Sequence, residues 1–306
     1  MDVIGIIPAR YFSTRFEGKV LANILGKPML QHVWERAKQA LTLDDLIIAC
    51  DDERVAAAAK GFGAKVVLTA KGHASGTDRI CEVINSIDAK IVINIQGDEP
   101  LIHPTMIDTV ARALLDNSSI SMATVMKNIE DELVINDPNV VKVVIDKNNF
   151  ALYFSRLPIP FRAKESEINF PVYFKHIGLY GYTKDFLFTY KNLPVSYLER
   201  VERLEQLRVL EEGYRIKVIE TKYDTIGVDT IEDLEKVKLY FQNERIEKNK
   251  GIGLINQAPA KTALSINIGG GFICPEKEAG LSVPPIGGDK PSPTSTINNN
   301  EANTGR

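Results

Sequence analysis

Three cations follow the first apolar run of the chain. In IGIIPARYFSTRFEGK, the side chains Arg10, Arg15 and Lys19 fall within ten residues, and Glu17 is the one acid beside them. Arginine forms paired hydrogen bonds with phosphate oxygens, and backbone amides at a strand-to-helix turn bind anions. The turn has neither the P-loop spacing nor the dinucleotide fingerprint. It indicates a local anion site, although a solvated basic loop fits this feature alone equally well.

Two acidic turns could hold a hard cation. Asp98 lies in QGDEP after an apolar run, and Asp229 lies in IGVDT at a second strand-to-helix junction. Mg²⁺ prefers oxygen ligands and binds through one or two carboxylates together with substrate phosphates. If the two turns meet, they would suit metal-assisted phosphoryl transfer. Taken singly, Asp98 also fits a turn and Asp229 also fits a helix N-cap.

Two further polar groups could bind a ligand. In HASGTDR the small residues would let a flat ring approach the backbone, and Arg79 lies one helical turn beyond Ser75, which equally suits a helix cap. The second group is polar but scattered, and spacing alone does not bring its members together: Arg156, His176, Tyr180, Glu205, Gln206 and Arg208. Motifs of serine hydrolases, zinc proteases and kinases are absent from the sequence.

Composition restricts the classes of partner. The 306 residues are 44% hydrophobic and 25% charged with a net charge of −3, which gives no reason to expect nucleic acid or a membrane as partner. No apolar run reaches the length of a membrane span, and the first residues do not resemble a secretory signal. The three cysteines, Cys50, Cys81 and Cys274, are too widely spaced for a disulfide framework or a zinc site. We expect a cytoplasmic protein.

Alternating strand and helix patterns position the candidate residues. Near-continuous apolar runs at 3–7, 45–50, 65–68 and 89–95 predict buried strands, and amphipathic segments at 28–40, 52–61, 77–87 and 105–115 predict helices. This alternation predicts a parallel sheet with helices on both faces. Because ligands in such sheets bind beyond the carboxyl ends of the strands, Arg10, Asp51, Ser75 and Asp98 are expected at one edge.

The second half of the chain contains less helix. Strands are predicted at 121–126, 140–146, 151–155, 176–182 and 216–220, and helices at 198–212 and 230–243. We interpret residues 1–247 as one domain in which 120–200 forms a mixed-sheet lobe suited to dimer contacts. Residues 248–306 are rich in Gly, Pro, Ser, Thr and Asn, and this low-complexity composition predicts a disordered tail.

Taken together, the motifs resemble the 3-deoxy-manno-octulosonate (KDO) cytidylyltransferases. The motifs IIPARYFSTRFEGK, SGTDRI, VINIQGDEP, ALYFSRLPIP, KHIGLYGY, LERVERLEQLR and IGVDTIEDLEKV occur in the family's order up to about residue 240. The resemblance implies an α/β nucleotidyltransferase (Rossmann-like) fold, with a mainly parallel sheet flanked by helices and a mixed-sheet dimerisation lobe. It also implies a magnesium-dependent homodimer that transfers CMP from CTP to the anomeric hydroxyl of KDO, releasing pyrophosphate, for lipopolysaccharide synthesis.

The resemblance also implies roles for individual residues. The catalytic set would comprise Asp98, Asp229, Lys19 and Arg15, with both aspartates holding Mg²⁺ and the cations facing the triphosphate. Ser75 and Arg79 would lie beside the cytosine and neighbouring phosphates. The sugar-acid site would be lined by Arg10, Gln96, Arg156, His176, Tyr180, Glu205 and Gln206.

The chain departs from the family pattern at three positions. Glu17 and Val20 stand where prolines are common, and Cys50 stands where threonine is common. Glu17 places a carboxylate near the expected triphosphate, so its side chain should point outward. Two alternatives remain open: the same reaction on an 8-amino KDO analogue or another sugar acid, and a nucleotide-binding protein without activity. The presence of Asp98, Asp229, Lys19 and Arg15 argues against the second.

Overall fold

A computed structural model describes residues 1–12, 16–73, 75–163 and 172–249. In this part of the chain the strands are β1 Val3–Ala9, β2 Asn23–Ile24, β3 Lys27–Pro28, β4 Asp45–Cys50, β5 Lys65–Leu68, β6 Ile91–Asn94, β7 Met122–Ile129, β8 Lys142–Ile145, β9 Ala151–Ser155, β10 Tyr173–Thr183 and β11 Lys217–Glu220. The helices are α1 Met29–Ala37, α2 Glu53–Gly61, α3 Gly76–Ile84, α4 Pro104–Leu115, α5 Glu132–Asn136, α6 Lys184–Asn192, α7 Tyr197–Glu202, α8 Leu207–Glu211 and α9 Ile231–Asn249. Arg15 and the predicted tail from residue 250 onward lie outside the described residues.

One large sheet organises these elements. Its strands run in the order β11-β7-β10-β6-β1-β4-β5, and β8 and β9 extend from β10. The block β6-β1-β4-β5 is parallel, whereas β10 runs antiparallel to β6, β7 and β8. The predicted α/β class, with a mainly parallel central sheet flanked by helices, is confirmed. Among the described residues, no helix is both long enough and apolar enough to cross a membrane.

The first strand shows why the central strands are apolar throughout. Val3 and Ile7 face a core cluster that includes residues of α1 and α4, while Ile4 and Ile6 face a second cluster that includes residues of α3 and α6. A strand covered on both faces cannot alternate apolar and polar residues. Burying each such side chain contributes about 1.5–3 kcal/mol. The rigid centre of the sheet therefore fixes the strand ends from which the candidate residues project.

A glycine brings two of these strand ends together. A Cβ atom at Gly97, just beyond β6, would lie 2.9 Å from the carbonyl oxygen of Pro8 in β1. Real Cβ contacts are not this short, so only glycine permits the approach. Gly97 therefore allows the turn carrying Asp98 to lie against the end of β1. The segment that contains the three cations, residues 10–19, begins there, and we call it the cationic segment.

The helix predicted at 198–212 is wrong as a single element. α7 ends at Glu202, Arg203 adopts a left-handed conformation (φ 54°, ψ 46°), and α8 begins at Leu207. Two tertiary interactions account for the break. The Glu202 carboxylate accepts hydrogen bonds from Ser155 Oγ at 2.8 Å and the Arg156 amide at 2.9 Å, and Leu204 is buried in the core. The break places Glu205 and Gln206 in a turn instead of on a helix face.

Candidate active site

A cleft lies at the carboxyl ends of β1 and β6. It holds about 600 Å³ of empty space, part of which is open solvent. Six of the sequence-predicted site residues line it: Arg10, Lys19, Ser75, Arg79, Gln96 and Asp98. Pro8, Val20, His73, Gly76 and Gly97 complete the lining. His73 belongs to a motif that the sequence singled out, but no role was assigned to it.

Lys19 joins the two predicted acidic turns. Its ammonium nitrogen donates hydrogen bonds to Asp98 Oδ2 at 2.7 Å, to Asp229 Oδ1 at 3.0 Å and to the Val228 carbonyl at 3.0 Å. Burial alone would lower the pKa of Lys19, but the charge of Asp98 and the hydrogen bonds to both carboxylates outweigh it, so the pKa is raised. Lys19 is therefore a fixed cation at neutral pH.

The two carboxylates form a donor set suited to magnesium. They contact the same ammonium group, and the Val228 amide donates to the Asp98 carbonyl at 2.9 Å, which holds their turns together. Hard carboxylate oxygens are the ligands that Mg²⁺ prefers. No group of three or more His, Cys, Asp or Glu side chains in the described ranges is arranged to bind a metal. Asp98 and Asp229 could therefore hold the ion only with further ligands from water and substrate.

Arg79 lines the cleft, but its charge is directed to Asp51. Nη2 donates to Asp51 Oδ2 at 2.7 Å, Nη1 donates to the Thr69 hydroxyl, and the side chain is buried. Asp51 Oδ1 accepts a hydrogen bond from the Tyr11 amide at 3.3 Å. Arg79 thus links α3 to the end of β4 and to the start of the cationic segment. Sequence analysis placed Asp51 at this edge but missed the pair.

Ser75 serves as the N-cap of α3. Its hydroxyl accepts a hydrogen bond from the Asp78 amide at 3.1 Å, and the Asp78 side chain accepts one from the Ser75 amide at 3.2 Å. This reciprocal pair satisfies two backbone donors at the helix end. The helix-cap interpretation of Ser75 is therefore confirmed. Ser75 also lines the cleft, and its expected role beside a nucleotide stays a prediction.

A second polar cluster adjoins the cleft through Gln96. Gln96 Nε2 donates to Asn94 Oδ1 at 3.0 Å, and Asn94 is the register partner of Tyr180 on β10. The Tyr180 hydroxyl and Gln206 Nε2 are buried and have no hydrogen-bond partner among the described residues. Each unsatisfied group of this kind costs about 1–3 kcal/mol. The pattern indicates a place where a polar ligand completes the hydrogen bonding.

His176 and Glu205 lie next to this cluster, and burial shifts the pKa of both side chains. The His176 ring lies 5.4 Å from the Tyr180 ring, and Nε2 lies 3.1 Å from Thr124 Oγ1. Burial lowers the pKa of His176 to about 3, so the ring is neutral. Thr77 Oγ1 donates to Glu205 Oε2 at 3.4 Å. Burial raises the pKa of Glu205 against the attraction of Arg208.

Arg156 does not line this cleft. Its Nε donates to the Glu202 carbonyl at 2.8 Å, and its Nη1 donates to the Pro138 carbonyl at 3.0 Å. These bonds hold the guanidinium between the end of α7 and the segment before β8. The structure thus assigns Arg156 a structural contact, and its expected role toward a sugar carboxylate stays a prediction.

Glu17 is exposed, as its expected outward orientation requires. Its charge acts on Arg54 of α2, whose pKa is raised mainly by the Asp52 carboxylate, with a minor contribution from Glu17. The Arg54 guanidinium lies 3.4 Å from the centre of the Tyr11 ring. The carboxylate of Glu17 is therefore exposed and within electrostatic range of the Arg54 cation.

Comparison with known proteins agrees with this geometry. The sequence profile of the cytidylyltransferases matches residues 4–219. The chain is 57% identical over 240 residues to the 3-deoxy-manno-octulosonate cytidylyltransferase of Solibacter usitatus, covering 78% of this chain and 94% of the relative. Its identity to the protein of the same name from Geotalea uraniireducens is 51% over 245 residues, with 78% and 98% covered.

Solved structures of cytidylyltransferases are also similar to this chain. The chain superposes on CMP:2-keto-3-deoxy-manno-octonic acid synthetase complexed with CTP with a TM-score of 0.75 and 42% identity, covering 80% of this chain and 100% of that one. A cytidylyltransferase from Leptospira borgpetersenii, 19% identical with a TM-score of 0.51 over 84% of this chain and 99% of that one, shares the fold. The chain therefore belongs to the 3-deoxy-manno-octulosonate cytidylyltransferase family, which confirms the resemblance drawn from its motifs.

Proposed function

We propose that this chain transfers CMP from CTP to the anomeric hydroxyl of KDO, yielding CMP-KDO and pyrophosphate for lipopolysaccharide synthesis. The observation that carries the proposal is the convergence of Lys19, Asp98 and Asp229 at the edge of the cleft. The chain that contains it is 57% identical to the 3-deoxy-manno-octulosonate cytidylyltransferase of Solibacter usitatus. In such a reaction the hydroxyl attacks the α-phosphorus in line, and the protein contributes mainly positioning and charge neutralisation.

Magnesium is the proposed cofactor, held by Asp98 and Asp229. When bound, it would polarise the α-phosphate and offset charge on the leaving pyrophosphate. Lys19, fixed between the carboxylates at 2.7 and 3.0 Å, supplies a positive charge to the triphosphate. Arg10, exposed at the cleft, and Arg15, outside the described residues, are proposed to extend this cationic wall. Ser75 and the α3 N-terminus are proposed to border the nucleotide.

The sugar acid is proposed to bind beside the nucleotide, against the second polar cluster. The unpartnered Tyr180 hydroxyl and Gln206 amide match the hydroxyl groups of a polyol acid. Gln96 connects this cluster to the cleft. The cluster is flanked by Glu205, whose pKa is raised by burial, and by His176, which is neutral. Arg10 and Arg156 are the cations proposed for the sugar carboxylate.

We propose a cytoplasmic homodimer that associates through the mixed-sheet lobe. β9 pairs only with β8 in the described part of the chain, and Ser155 at its end contacts Glu202 at the end of α7. Large apolar side chains on these neighbouring segments are exposed: Leu152 at 62%, Leu157 at 70%, Tyr197 at 74% and Val201 at 62%. Apolar groups concentrated in this way favour a protein interface. Sedimentation analysis of the purified chain tests the dimer, and a monomer at micromolar concentration would contradict it.

The decisive experiment measures pyrophosphate release from CTP with a panel of sugar acids, with and without Mg²⁺. The panel contains KDO, its 8-amino analogue and a sialic acid. We expect magnesium-dependent release that is fastest with KDO. Faster release with the 8-amino analogue would reassign the substrate. Release with none of the three would favour a nucleotide-binding protein without this activity.

A further inference from the structure

Two lysines on neighbouring strands hold one aspartate. Lys127 of β7 and Lys175 of β10 are register partners in the sheet. Lys127 Nζ donates to Asp224 Oδ2 at 2.9 Å, and Lys175 Nζ donates to Asp224 Oδ1 at 3.0 Å. The three side chains are 15–20% exposed. We call this group the Asp224 clamp; it brings two like charges together, which is unfavourable without the carboxylate between them.

The clamp fixes the start of the loop that carries Asp229. Lys175 Nζ also donates to the carbonyl of Thr225 at 2.8 Å. Residues 221–230, between β11 and α9, belong to no helix or strand. A side chain on such a loop has no regular backbone ladder to hold it in place. The position of Asp229 therefore depends on contacts of this kind.

A second contact fixes the loop near its end. Glu99 follows Asp98, and a Cβ atom at Gly227 would lie 3.1 Å from Glu99 Oε1. Glu99 Oε2 is buried without a hydrogen-bond partner among the described residues. The Val228 amide donates to the Asp98 carbonyl at 2.9 Å. The loop thus lies so close to Glu99 that a methyl group at residue 227 would press on the Glu99 carboxylate, which would have to shift by a few tenths of an ångström.

We propose that the Asp224 clamp and the Glu99–Gly227 contact are positioning elements that set the Asp229 carboxylate opposite Asp98. The inference rests on the proposed function, in which these two carboxylates bind a divalent cation. None of the four residues Lys127, Lys175, Asp224 and Gly227 lines the cleft. A buried ion pair is weak evidence for stabilisation by itself, since desolvation offsets much of its attraction. A role in placing the metal ligand Asp229 explains why the Asp224 clamp lies beside this loop.

The experiment measures Mn²⁺ binding by the full chain in the presence of CTP and without a sugar acid. Free Mn²⁺ is followed by electron paramagnetic resonance, so turnover plays no part. The test variants are Asp224→Asn and Gly227→Ala, with Asp229→Asn as the reference for a lost ligand. The control is Asp108→Asn, because Asp108 accepts hydrogen bonds from the Thr42 amide and hydroxyl at 2.9 and 2.8 Å, remote in sequence from the loop.

We expect Asp224→Asn and Gly227→Ala to weaken Mn²⁺ binding by about 10- to 100-fold, the usual effect of removing an outer support of a metal ligand. Asp108→Asn should bind Mn²⁺ as the wild type does, even if it unfolds at lower urea concentration. If Asp224→Asn does not fold, Gly227→Ala decides the matter, because it adds one methyl group at an exposed position.

Two results would overturn the inference, and they are distinguishable. If Asp229→Asn loses Mn²⁺ while Gly227→Ala and folded Asp224→Asn bind it normally, the positioning role alone is rejected. If Asp229→Asn binds Mn²⁺ as tightly as the wild type, the metal role of Asp229 in the proposed function is rejected, and the positioning role with it.

Discussion

The ammonium nitrogen of Lys19 lies 2.7 Å from Oδ2 of Asp98, in the position of a cation held by the acidic turns. The same nitrogen lies 3.0 Å from Asp229 Oδ1. One positive charge therefore stabilises two carboxylates that would otherwise repel each other. A divalent ion that binds the same carboxylates must compete with Lys19 for them, and this competition leads to the first prediction.

Lys19→Met should separate metal binding from turnover. Without CTP, Mn²⁺ binding should become tighter, because the competing ammonium is gone. Turnover should fall by at least about 100-fold, since the proposed function requires this positive charge to neutralise the triphosphate. Mn²⁺ titration and pyrophosphate release measure the two effects. Weaker Mn²⁺ binding by the variant would show that Lys19 supports the metal site instead of competing for it.

Asp98→Asn and Asp229→Asn should each lower kcat by at least about 100-fold, or about 2.7 kcal/mol of barrier. The amide keeps the shape of the side chain but removes the charge that a hard cation requires. Steady-state kinetics over a range of Mg²⁺ concentrations measure the loss. Asp108→Asn serves as the matched control. Near-normal turnover of both variants at saturating Mg²⁺ would contradict the assignment.

Tyr180→Phe should weaken the use of the sugar acid and leave that of CTP unchanged. The Tyr180 hydroxyl is buried without a partner among the described residues, so its removal should raise the free energy of unfolding by about 1 kcal/mol. The KM for the sugar acid should rise about tenfold, while the KM for CTP stays the same. Urea denaturation and two-substrate kinetics give these quantities. A destabilised variant with an unchanged KM for the sugar acid would contradict the proposed site.

Asp51→Asn should loosen the cationic segment, because Asp51 joins Arg79 to the Tyr11 amide. The Asp51–Arg79 side chains are 12% and 4% exposed, and removing one partner of a buried pair costs about 3–5 kcal/mol. The Tyr11 amide also loses its carboxylate partner. We therefore expect a lower urea midpoint together with a higher KM for CTP. A lowered midpoint with an unchanged KM would limit the pair to a purely stabilising role.

Local patterns predicted the strands well for a clear physical reason. The ranges 45–50, 65–68 and 151–155 agree with β4, β5 and β9. In β4 the side chains are buried on both faces and leave a direct mark on the sequence, whereas β5, also predicted to be buried, has Lys65 and Leu68 exposed. Arg10, Ser75 and Asp98 were expected at this edge because ligands in parallel sheets bind at strand ends, whereas Gln96 was expected in the site only from the motif resemblance. Motif resemblance, and not spacing, supplied their expected roles.

Long-range partners were beyond local reasoning. The bond between Lys19 and Asp229 joins residues 210 positions apart, and the Arg79–Asp51 bond joins residues 28 apart. No periodicity encodes such contacts. The break at Arg203 was missed for the same reason: the local sequence favours a continuous helix, whereas the hydrogen bonds that Glu202 accepts from Ser155 and Arg156 end it. Fixed positions in this site therefore depend on tertiary contacts that only the fold reveals.

His176 should make the folded protein sensitive to acid. Burial lowers its pKa to about 3 in the folded state, against an ordinary value of 6.5. Between pH 6.5 and 3 the unfolded chain therefore binds a proton that the folded chain does not, and the free energy of unfolding falls as pH falls, by at most about 1.4 kcal/mol per pH unit. His176→Phe removes this contribution, and Thr124 still donates to a main-chain carbonyl at 2.8 Å. Urea denaturation from pH 8 to 4 should give parallel curves above pH 6.5 and a shallower decline for the variant below it; equal slopes below pH 6.5 would show that the ring accepts a proton in the folded protein.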